Sequence, residues 1–189
     1  MESSPRRQAL QQRVADAVLE GAARTLAAQG PAASMSDVAA AAGVARATVY
    51  RYFPNRQALL EELADMALGQ ARGRLTDARL DEVPPQEGLT RLVRALVDVG
   101  DAFIVLAREG ARHEDFDRTL ASPLRALLER GQAGGEFRDD LPLSWLTEAL
   151  LGLVVSVQSP SPKRGREDTV AAITSLFLDG ARRRGPRPA

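Results

Sequence analysis

Apolar residues recur every three or four positions along most of the chain, which is the spacing of one face of an α-helix. In the first such segment, residues 8–28, the apolar positions include Leu10, Val14 and Val18, and a Gly-Pro pair ends it. No segment alternates strictly between apolar and polar residues, as a half-buried strand would. The pattern therefore predicts an all-α fold.

Two short helices joined by a tight turn are predicted next. Ser34 and Asp37 form a variant of the capping box, which starts a helix that runs to Ala42. Gly43 then supplies the turn, because glycine accepts the left-handed backbone at a helix end. The next helix spans residues 45–53 and is ended by the proline that follows. Together with the first helix, these elements are typical of a helix-turn-helix.

The rest of the chain predicts longer helices separated by glycine and proline residues. They span residues 55–80, 86–109 as one helix or as two broken at Gly100, 114–132, 142–158 and 167–184. The whole chain thus has about nine helices in two parts. We place a three-helix helix-turn-helix domain at residues 1–56 and a larger helical bundle at residues 57–189.

Composition narrows the classes of function. The chain lacks cysteine, which excludes disulfides and thiolate zinc sites, and its single histidine leaves little scope for an imidazole metal site. No Ser/His/Asp spacing or glycine-rich phosphate loop is present, so we predict no enzyme, no catalytic residues, no metal and no cofactor. Apolar runs are too short for a membrane helix or a signal peptide. We therefore expect a cytoplasmic protein that does not bind membranes.

Charge is distributed unevenly although the net charge is zero. Residues 1–56 hold seven arginines against four acids, a net charge of +3, so the remainder carries −3. The segment from Gly43 to Arg56 contains three arginines and no acid. A basic N-terminal domain on a mildly acidic body suits a protein that binds nucleic acid.

The residue pattern of the third helix predicts one buried face and one basic face. Val49 and Phe53 lie four residues apart and would pack inward on Val38 and the first helix. The opposite face carries Arg46, Ala47, Tyr50 and Arg51. A helix fits the major groove, where arginine can pair with guanine and a methyl group can contact thymine, while tyrosine can hold a phosphate. The same face could instead be an ordinary solvated helix surface.

A spaced series of residues around this helix carries further information. It comprises Val38-Ala39, Ala42-Gly43-Val44, Thr48-Val49-Tyr50, Tyr52-Phe53, Arg56 and Leu59-Leu60. This series resembles the signature of the TetR (tetracycline repressor-like) family. The resemblance covers the first third of the chain directly, while the rest agrees in length and helical content.

The resemblance implies a ligand-responsive regulator, most often a repressor. Such a protein binds a near-palindromic, double-stranded operator as a homodimer and is released by a small molecule bound in its C-terminal domain. Position by position, the implied DNA contacts are Ser34, Arg46, Ala47, Thr48, Tyr50, Arg51, Tyr52 and Arg56. Three positions depart from the family pattern: Ala45 stands where serine is frequent, Tyr52 where histidine is common, and Arg56 where lysine is common.

The last two long helices carry the widest apolar stripes, and two such helices from each subunit could form a four-helix dimer interface. The residues predicted for it are Leu146, Leu150, Leu153, Val154, Val157, Val170, Ile173 and Phe177. Alternatively, both stripes are internal core.

We expect a ligand pocket among the helices of residues 55–158. The residues that line it do not identify the effector. Its candidate lining is Met66, Phe103, Leu106, Phe116, Leu120, Leu124, Leu127 and Trp145, each of which could also be ordinary core. His113 could be a polar pocket group, a metal ligand or a solvated loop residue.

Two other functions remain compatible with the sequence. One is an activator or architectural DNA-binding protein of the same fold without a ligand response. The other is a helical interaction protein whose N-terminal domain does not bind DNA. Ligand-dependent release separates the first from a repressor, and salt-dependent DNA binding tests the second.

Overall fold

Helical rods make up nearly all of the protein that can be described, which is residues 5–109, 113–158 and 165–182 of a computed structural model. In chain order the segments are α1 (Pro5–Gln29), a 3₁₀ turn (Gly30–Ala32), α2 (Met35–Ala42), α3 (Arg46–Tyr52), α4 (Arg56–Ala78), α5 (Pro85–Val99), α6 (Asp101–Glu109), α7 (His113–Phe116), a π-helical segment (Asp117–Ala121), α8 (Ser122–Ala133), α9 (Leu143–Gln158) and α10 (Arg166–Ala181). Because α7, the π-helical segment and α8 are continuous, these residues form nine rods. No β-strand or membrane-spanning helix lies within these ranges. The predicted all-α fold is confirmed.

The ends of the short N-terminal helices are completed as the sequence predicts. The Ser34 hydroxyl accepts the Asp37 N–H at 3.2 Å, and the Asp37 carboxylate accepts the Ser34 N–H at 2.9 Å, which is a full capping box. Gly43 adopts φ 68° and ψ 29° and ends α2 in the left-handed conformation. Asn55 then caps α4 by accepting the Ala58 N–H at 2.8 Å.

α1 packs on α2, α4 and α6, so it contacts both the short N-terminal helices and the longer helices that follow. Val18, Ala22 and Leu26 lie on its buried face. Gly21 allows α2 to approach closely, because a Cβ at this position would lie 2.9 Å from the Ala42 backbone nitrogen. The relative position of α1 and α2 therefore depends on a glycine as well as on apolar burial.

α5 and α6 form the centre of the larger bundle. The chain breaks between them at Gly100, whose φ of 66° and ψ of −136° is a conformation that residues with a Cβ avoid. Leu92 and Leu96 of α5 and Phe103 of α6 are fully buried. Of the two predicted arrangements for residues 86–109, the structure has the pair of helices.

The apolar stripes of α9 and α10 face the interior of the subunit, which corrects the predicted dimer interface. Six of its eight residues are at most 7% exposed: Leu146, Leu150, Val154, Val170, Ile173 and Phe177. The reason is that α10 packs against α5 and α9, while α9 packs against α6 and α8 as well. Leu153 and Val157 are only half-buried. The outward faces of these helices instead expose Trp145 and Leu176.

Candidate nucleic-acid interface and cleft

α3 is held in place by the apolar side chains beneath it. Val49 is fully buried and Phe53 is 4% exposed, and both belong to the core that includes Val38 of α2. A seven-residue helix is unstable alone, so this packing is what keeps α3 helical. The predicted inward face of the third helix is confirmed.

The opposite face of α3 presents arginines stacked on tyrosines. The Arg46 guanidinium lies 5.3 Å from the centroid of the Tyr50 ring, and its Nη2 donates to the Tyr50 hydroxyl at 3.3 Å. The Arg51 guanidinium lies 5.0 Å from the Tyr52 ring, with Nη2 3.5 Å from the Tyr52 hydroxyl. Cation–π stacking restrains both guanidiniums while leaving most of their N–H groups directed to solvent. We call Arg46, Ala47, Tyr50 and Arg51 the outer face of α3.

The small residues on and beside the outer face add little bulk and no acid. Ala47 is exposed and Thr48 is half-buried, so neither obstructs a close approach to α3. Ala45 begins α3 without a side-chain cap, consistent with its departure from the family pattern. The surface can therefore approach a polyanion along the whole helix without carboxylate repulsion from the segment itself.

Ser34 and Arg56 have structural partners in the subunit. The Ser34 hydroxyl donates to the Asp37 carboxylate at 2.6 Å, and these hydrogen bonds from the Ser34 hydroxyl and N–H lower the pKa of Asp37. Arg56 is half-buried, and its Nη1 donates to the Ala33 carbonyl at 2.8 Å. Ser34 thus caps α2, and Arg56 connects the start of α4 to Ala33, the residue that precedes the Ser34 cap.

A second basic surface lies in a cleft of about 800 Å³ between the C-terminal end of α4 and the rod formed by the π-helical segment and α8. We call it the arginine cleft. Its apolar lining comprises Leu75, Leu80, Pro123, Ala126 and Leu127. Its polar lining comprises Arg72, Thr76, Arg79, Asp81, Arg118, Thr119 and Arg130. Four guanidiniums thus share the cleft with a single carboxylate.

The arginines of the cleft differ in how they are held. Arg79 ends α4 with φ 46° and ψ 56°, and its Nη1 lies 3.3 Å from a Glu82 carboxylate oxygen. Arg118 pairs with Asp115. Arg130 donates to the carbonyls of Leu80 and Val83 at 2.7 and 2.9 Å, which fixes the turn after α4. Within the described part of the chain, the Arg72 side chain has no such partner.

The structure places the predicted pocket residues in several environments. Leu127 lines the arginine cleft, whereas Phe103, Leu106, Leu120 and Leu124 are packed in the core. Met66 and Phe116 are half-buried beside that core. Trp145 is 63% exposed, because α9 turns the neighbouring Leu146 inward instead. The His113 side chain lies outside the described residues.

Sequence reasoning missed the cleft arginines although a signal for part of them exists. Arg72, Leu75, Thr76 and Arg79 follow the spacing of one helix face, so a stripe of mixed basic and apolar residues runs along the end of α4. Arg118 and Arg130 join this stripe only through tertiary packing. Among the described residues, no group of three or more histidines or acids could hold a metal ion.

Known proteins resemble both the N-terminal domain and the whole chain. The family model described as "Bacterial regulatory proteins, tetR family" matches residues 18–63. The transcriptional repressor LfrR of Mycolicibacterium smegmatis is 35% identical over 172 residues, covering 89% of this chain and 90% of LfrR. The transcriptional regulator NfxB of Pseudomonas aeruginosa is 27% identical over 165 residues, covering 80% of this chain and 86% of NfxB.

A solved structure extends the similarity to three dimensions. The crystal structure of the TetR-like regulator LfrR from Mycobacterium smegmatis in complex with proflavine superposes with a TM-score of 0.66. The superposition covers 89% of this chain and 96% of that chain, at 26% identity. The similarity therefore includes the helical bundle as well as the helix-turn-helix.

Proposed function

Because the chain belongs to the TetR family of transcriptional regulators and is therefore not an enzyme, we propose that it is a repressor that binds a near-palindromic operator as a homodimer. A small molecule bound in the C-terminal domain would release it from the DNA. The observation that carries the proposal is the outer face of α3, where two guanidiniums and a phenol project from a helix anchored by buried side chains. Repression of chromosomal genes would place the protein in the cytoplasm.

The outer face of α3 has the chemistry to read bases. Arg46 and Arg51 would pair with guanine edges in the major groove, and the Ala47 methyl group would lie near a thymine. Tyr50, Tyr52 and Thr48 would donate to phosphates on either side. The stacking of each arginine on a tyrosine would reduce the entropy that the side chain loses on binding.

Ser34 and Arg56 would contribute to DNA binding in a different way. The only hydroxyl proton of Ser34 is donated to Asp37, so its contact with a phosphate requires that this bond exchange. Arg56 donates to the Ala33 carbonyl, and it lies at the start of α4, where the helix dipole favours an anion. We propose Arg56 as a phosphate clamp and Ser34 chiefly as the residue that fixes α2.

A homodimer would place two copies of α3 on successive turns of the operator, about 34–36 Å apart. We propose that the outward faces of α9 and α10 form its interface. Trp145 and Leu176 are 63% and 61% exposed, and exposed Ala149 and Gly152 follow Trp145 along α9. Small residues beside large apolar ones let two helix pairs pack closely. This face replaces the buried stripes that the sequence indicated.

The two domains that we propose, residues 1–56 and 57–189, meet at the start of α4. This helix of 23 residues is about 35 Å long, so it connects the helix-turn-helix to the arginine cleft. A second connection is the hydrogen bond from Arg108 of α6 to the Ala27 carbonyl of α1, at 3.0 Å. A ligand that moves the end of α4 would therefore change the position of α3.

The DNA-binding part of the proposal is tested with a duplex that the protein selects from a random-sequence pool and with a scrambled duplex of equal composition. Arg51→Ala should weaken binding to the selected duplex by about 1–3 kcal/mol, or roughly 5- to 150-fold, and should reduce the preference for it. Arg125→Ala removes the same charge from α8 and should have little effect. An equal loss on both duplexes would assign Arg51 to the DNA backbone, and no binding at low salt would refute the function.

The dimer is tested by sedimentation. Leu176→Asp should convert the protein to monomers at micromolar concentration, because it places a charge in an apolar interface. Leu10, on α1, is 63% exposed, so Leu10→Asp is a matched control that should remain dimeric. A Leu176→Asp variant that sediments as a dimer would exclude this face.

A further inference from the structure

We propose that the arginine cleft binds an amphiphilic carboxylate, an organic anion with an apolar body, through Arg72, Arg79, Arg118 and Thr119. This inference rests on the proposed function, since it names the chemical class of the effector. Three independent features of the cleft support it: the sign of its charge, an unpartnered hydroxyl and its apolar wall.

The charge of the lining favours an anion. Arginines stand on both walls, with Arg72 and Arg79 on the α4 side and Arg118 and Arg130 on the other side. Asp81 is the single carboxylate among the lining residues, and Glu82 and Asp115 pair with Arg79 and Arg118 beside them. Guanidinium groups match a carboxylate in bidentate geometry, and a concave surface of one sign concentrates counter-ions. With these three acids counted, the four guanidiniums still leave a net positive charge, which an organic cation of the same size would meet.

Thr119 supplies the second feature. It lies in the π-helical segment, is 6% exposed, and its hydroxyl has no hydrogen-bond partner among the described residues. Five other helical threonines donate to the carbonyl four residues earlier: Thr25, Thr76, Thr90, Thr147 and Thr169. Thr174 of α10 also lacks a partner, so the π-helix is not the only setting in which this bond is missing, but π-helical turns are frequent at functional sites. The hydroxyl oxygen itself is buried, so a carboxylate in the cleft would supply the missing acceptor after rotation about the Thr119 Cα–Cβ bond.

The apolar wall determines the rest of the ligand. Leu75, Leu80 and Leu127 line the same cleft as the arginines, and its volume of about 800 Å³ lies within the range of small-molecule pockets. An inorganic anion would leave this wall uncovered, whereas a neutral apolar molecule would leave the guanidiniums and the Thr119 hydroxyl without new partners. An anion with an apolar body would cover the apolar wall and pair with the guanidiniums.

The test compares three probes of equal chain length, namely decanoate, decanol and decyltrimethylammonium, by isothermal titration calorimetry on the full-length protein. Decanoate should bind once per subunit and about tenfold or more tightly than either other probe. Arg72→Gln and Arg79→Gln should each weaken decanoate binding by roughly five- to tenfold, because both arginines are partly solvated. Thr119→Val, which keeps the shape of the side chain, should weaken it by about threefold or more.

Arg74→Gln is the matched control for Arg72→Gln. Arg74 lies two residues further along α4, pairs with Asp98 and does not line the arginine cleft. Its substitution should leave decanoate affinity unchanged. The inference is overturned if decanoate does not bind at millimolar concentration, if decyltrimethylammonium binds equally well, or if Arg72→Gln and Arg74→Gln behave alike.

A release assay distinguishes failure of this inference from failure of the proposed function. Decanoate should dissociate the wild-type protein from its selected duplex and should release Arg72→Gln only at higher concentration. If decanoate binds the cleft but the DNA complex persists, the site stands and the release mechanism is refuted. If decyltrimethylammonium dissociates the complex and decanoate does not, the release mechanism stands and the carboxylate site is refuted.

Discussion

The outer face of α3 and the arginine cleft are both rich in arginine, yet they hold it in different ways. On α3 the guanidiniums lie over tyrosine rings on a convex helix, and no acid lies within the surrounding segment. In the cleft, guanidiniums pair with acids or carbonyls along a concave, apolar wall. The convex surface suits an extended polyanion, whereas the concave surface suits a small anion whose body can be buried.

This difference shows that the sign of the charge on a surface does not by itself identify the ligand. Shape decides whether a basic surface can follow a groove, and the apolar content decides whether a bound molecule leaves water. Counting arginines along the sequence would rank the two regions as equals. The experiments below separate them, from the largest expected effect to the smallest.

Salt should separate the two surfaces most strongly. Between 50 and 200 mM salt, operator affinity should fall by about 10³- to 10⁵-fold if the dimer neutralises roughly 6–10 phosphates. Binding of decanoate to the cleft involves one charge and should fall by less than about tenfold. Fluorescence anisotropy and calorimetry across this range measure the two slopes. Equal slopes would show that the two surfaces do not differ as proposed.

Removing the support of α3 should affect one surface and spare the other. Phe53 is 4% exposed, so Phe53→Ala should destabilise the protein by about 3–5 kcal/mol through the cavity it leaves. DNA binding should be lost, and decanoate binding should persist wherever the bundle remains folded. Urea denaturation followed by circular dichroism gives the change in stability. Full operator affinity in the variant would contradict the anchoring role of Phe53.

Thr119→Val should increase stability while it weakens the cleft. Replacing a buried hydroxyl that has no partner should raise the free energy of unfolding by about 1 kcal/mol. Thr25→Val is the matched control, because the Thr25 hydroxyl is buried but donates to the Gly21 carbonyl at 2.8 Å. The control should show no gain. Urea denaturation of both variants decides whether Thr119 lacks a partner in solution.

The smallest effect concerns pH and belongs to the N-terminal domain alone. Hydrogen bonds from Ser34 lower the pKa of Asp37, so their contribution to stability is present above the ordinary aspartate pKa. It is lost as the pH falls through the lowered pKa of the folded state. In Ser34→Ala, this part of the decrease in unfolding free energy at acid pH should disappear. Urea titrations at successive pH values would measure it. An unchanged pH profile would mean that the capping box contributes nothing measurable.

The N-terminal domain was largely predictable because its determinants are local. Ser34, Asp37 and Gly43 set helix ends through contacts within a few residues, and Val49 with Phe53 defines an apolar face of α3, which packs on α2. The break at Gly100 was foreseen as one of two alternatives for the same reason. Such features depend on the backbone chemistry of a short segment.

The bundle was less predictable because its apolar stripes do not specify their neighbours. Almost every side of α9 is apolar, so Leu146 and Leu150 could equally have met a second subunit or the core. Because α9 packs against α8 and α10, Leu146 and Leu150 are buried in the core and Trp145 is exposed. The arginine cleft depends on tertiary packing to an even greater degree, since Arg72 and Arg118 meet only after the chain has folded.

Arg79 shows that the arginine cleft and thermodynamic stability make opposed demands. It is the one residue other than glycine with positive φ in the described chain, at the position where a helix ordinarily ends in glycine. The left-handed conformation costs a side-chain-bearing residue about 1 kcal/mol. Arg79→Gly should therefore give a more stable protein that binds decanoate less tightly in the arginine cleft. Selection for heat resistance alone would tend to remove this arginine, and with it part of the anion affinity that we propose for the cleft.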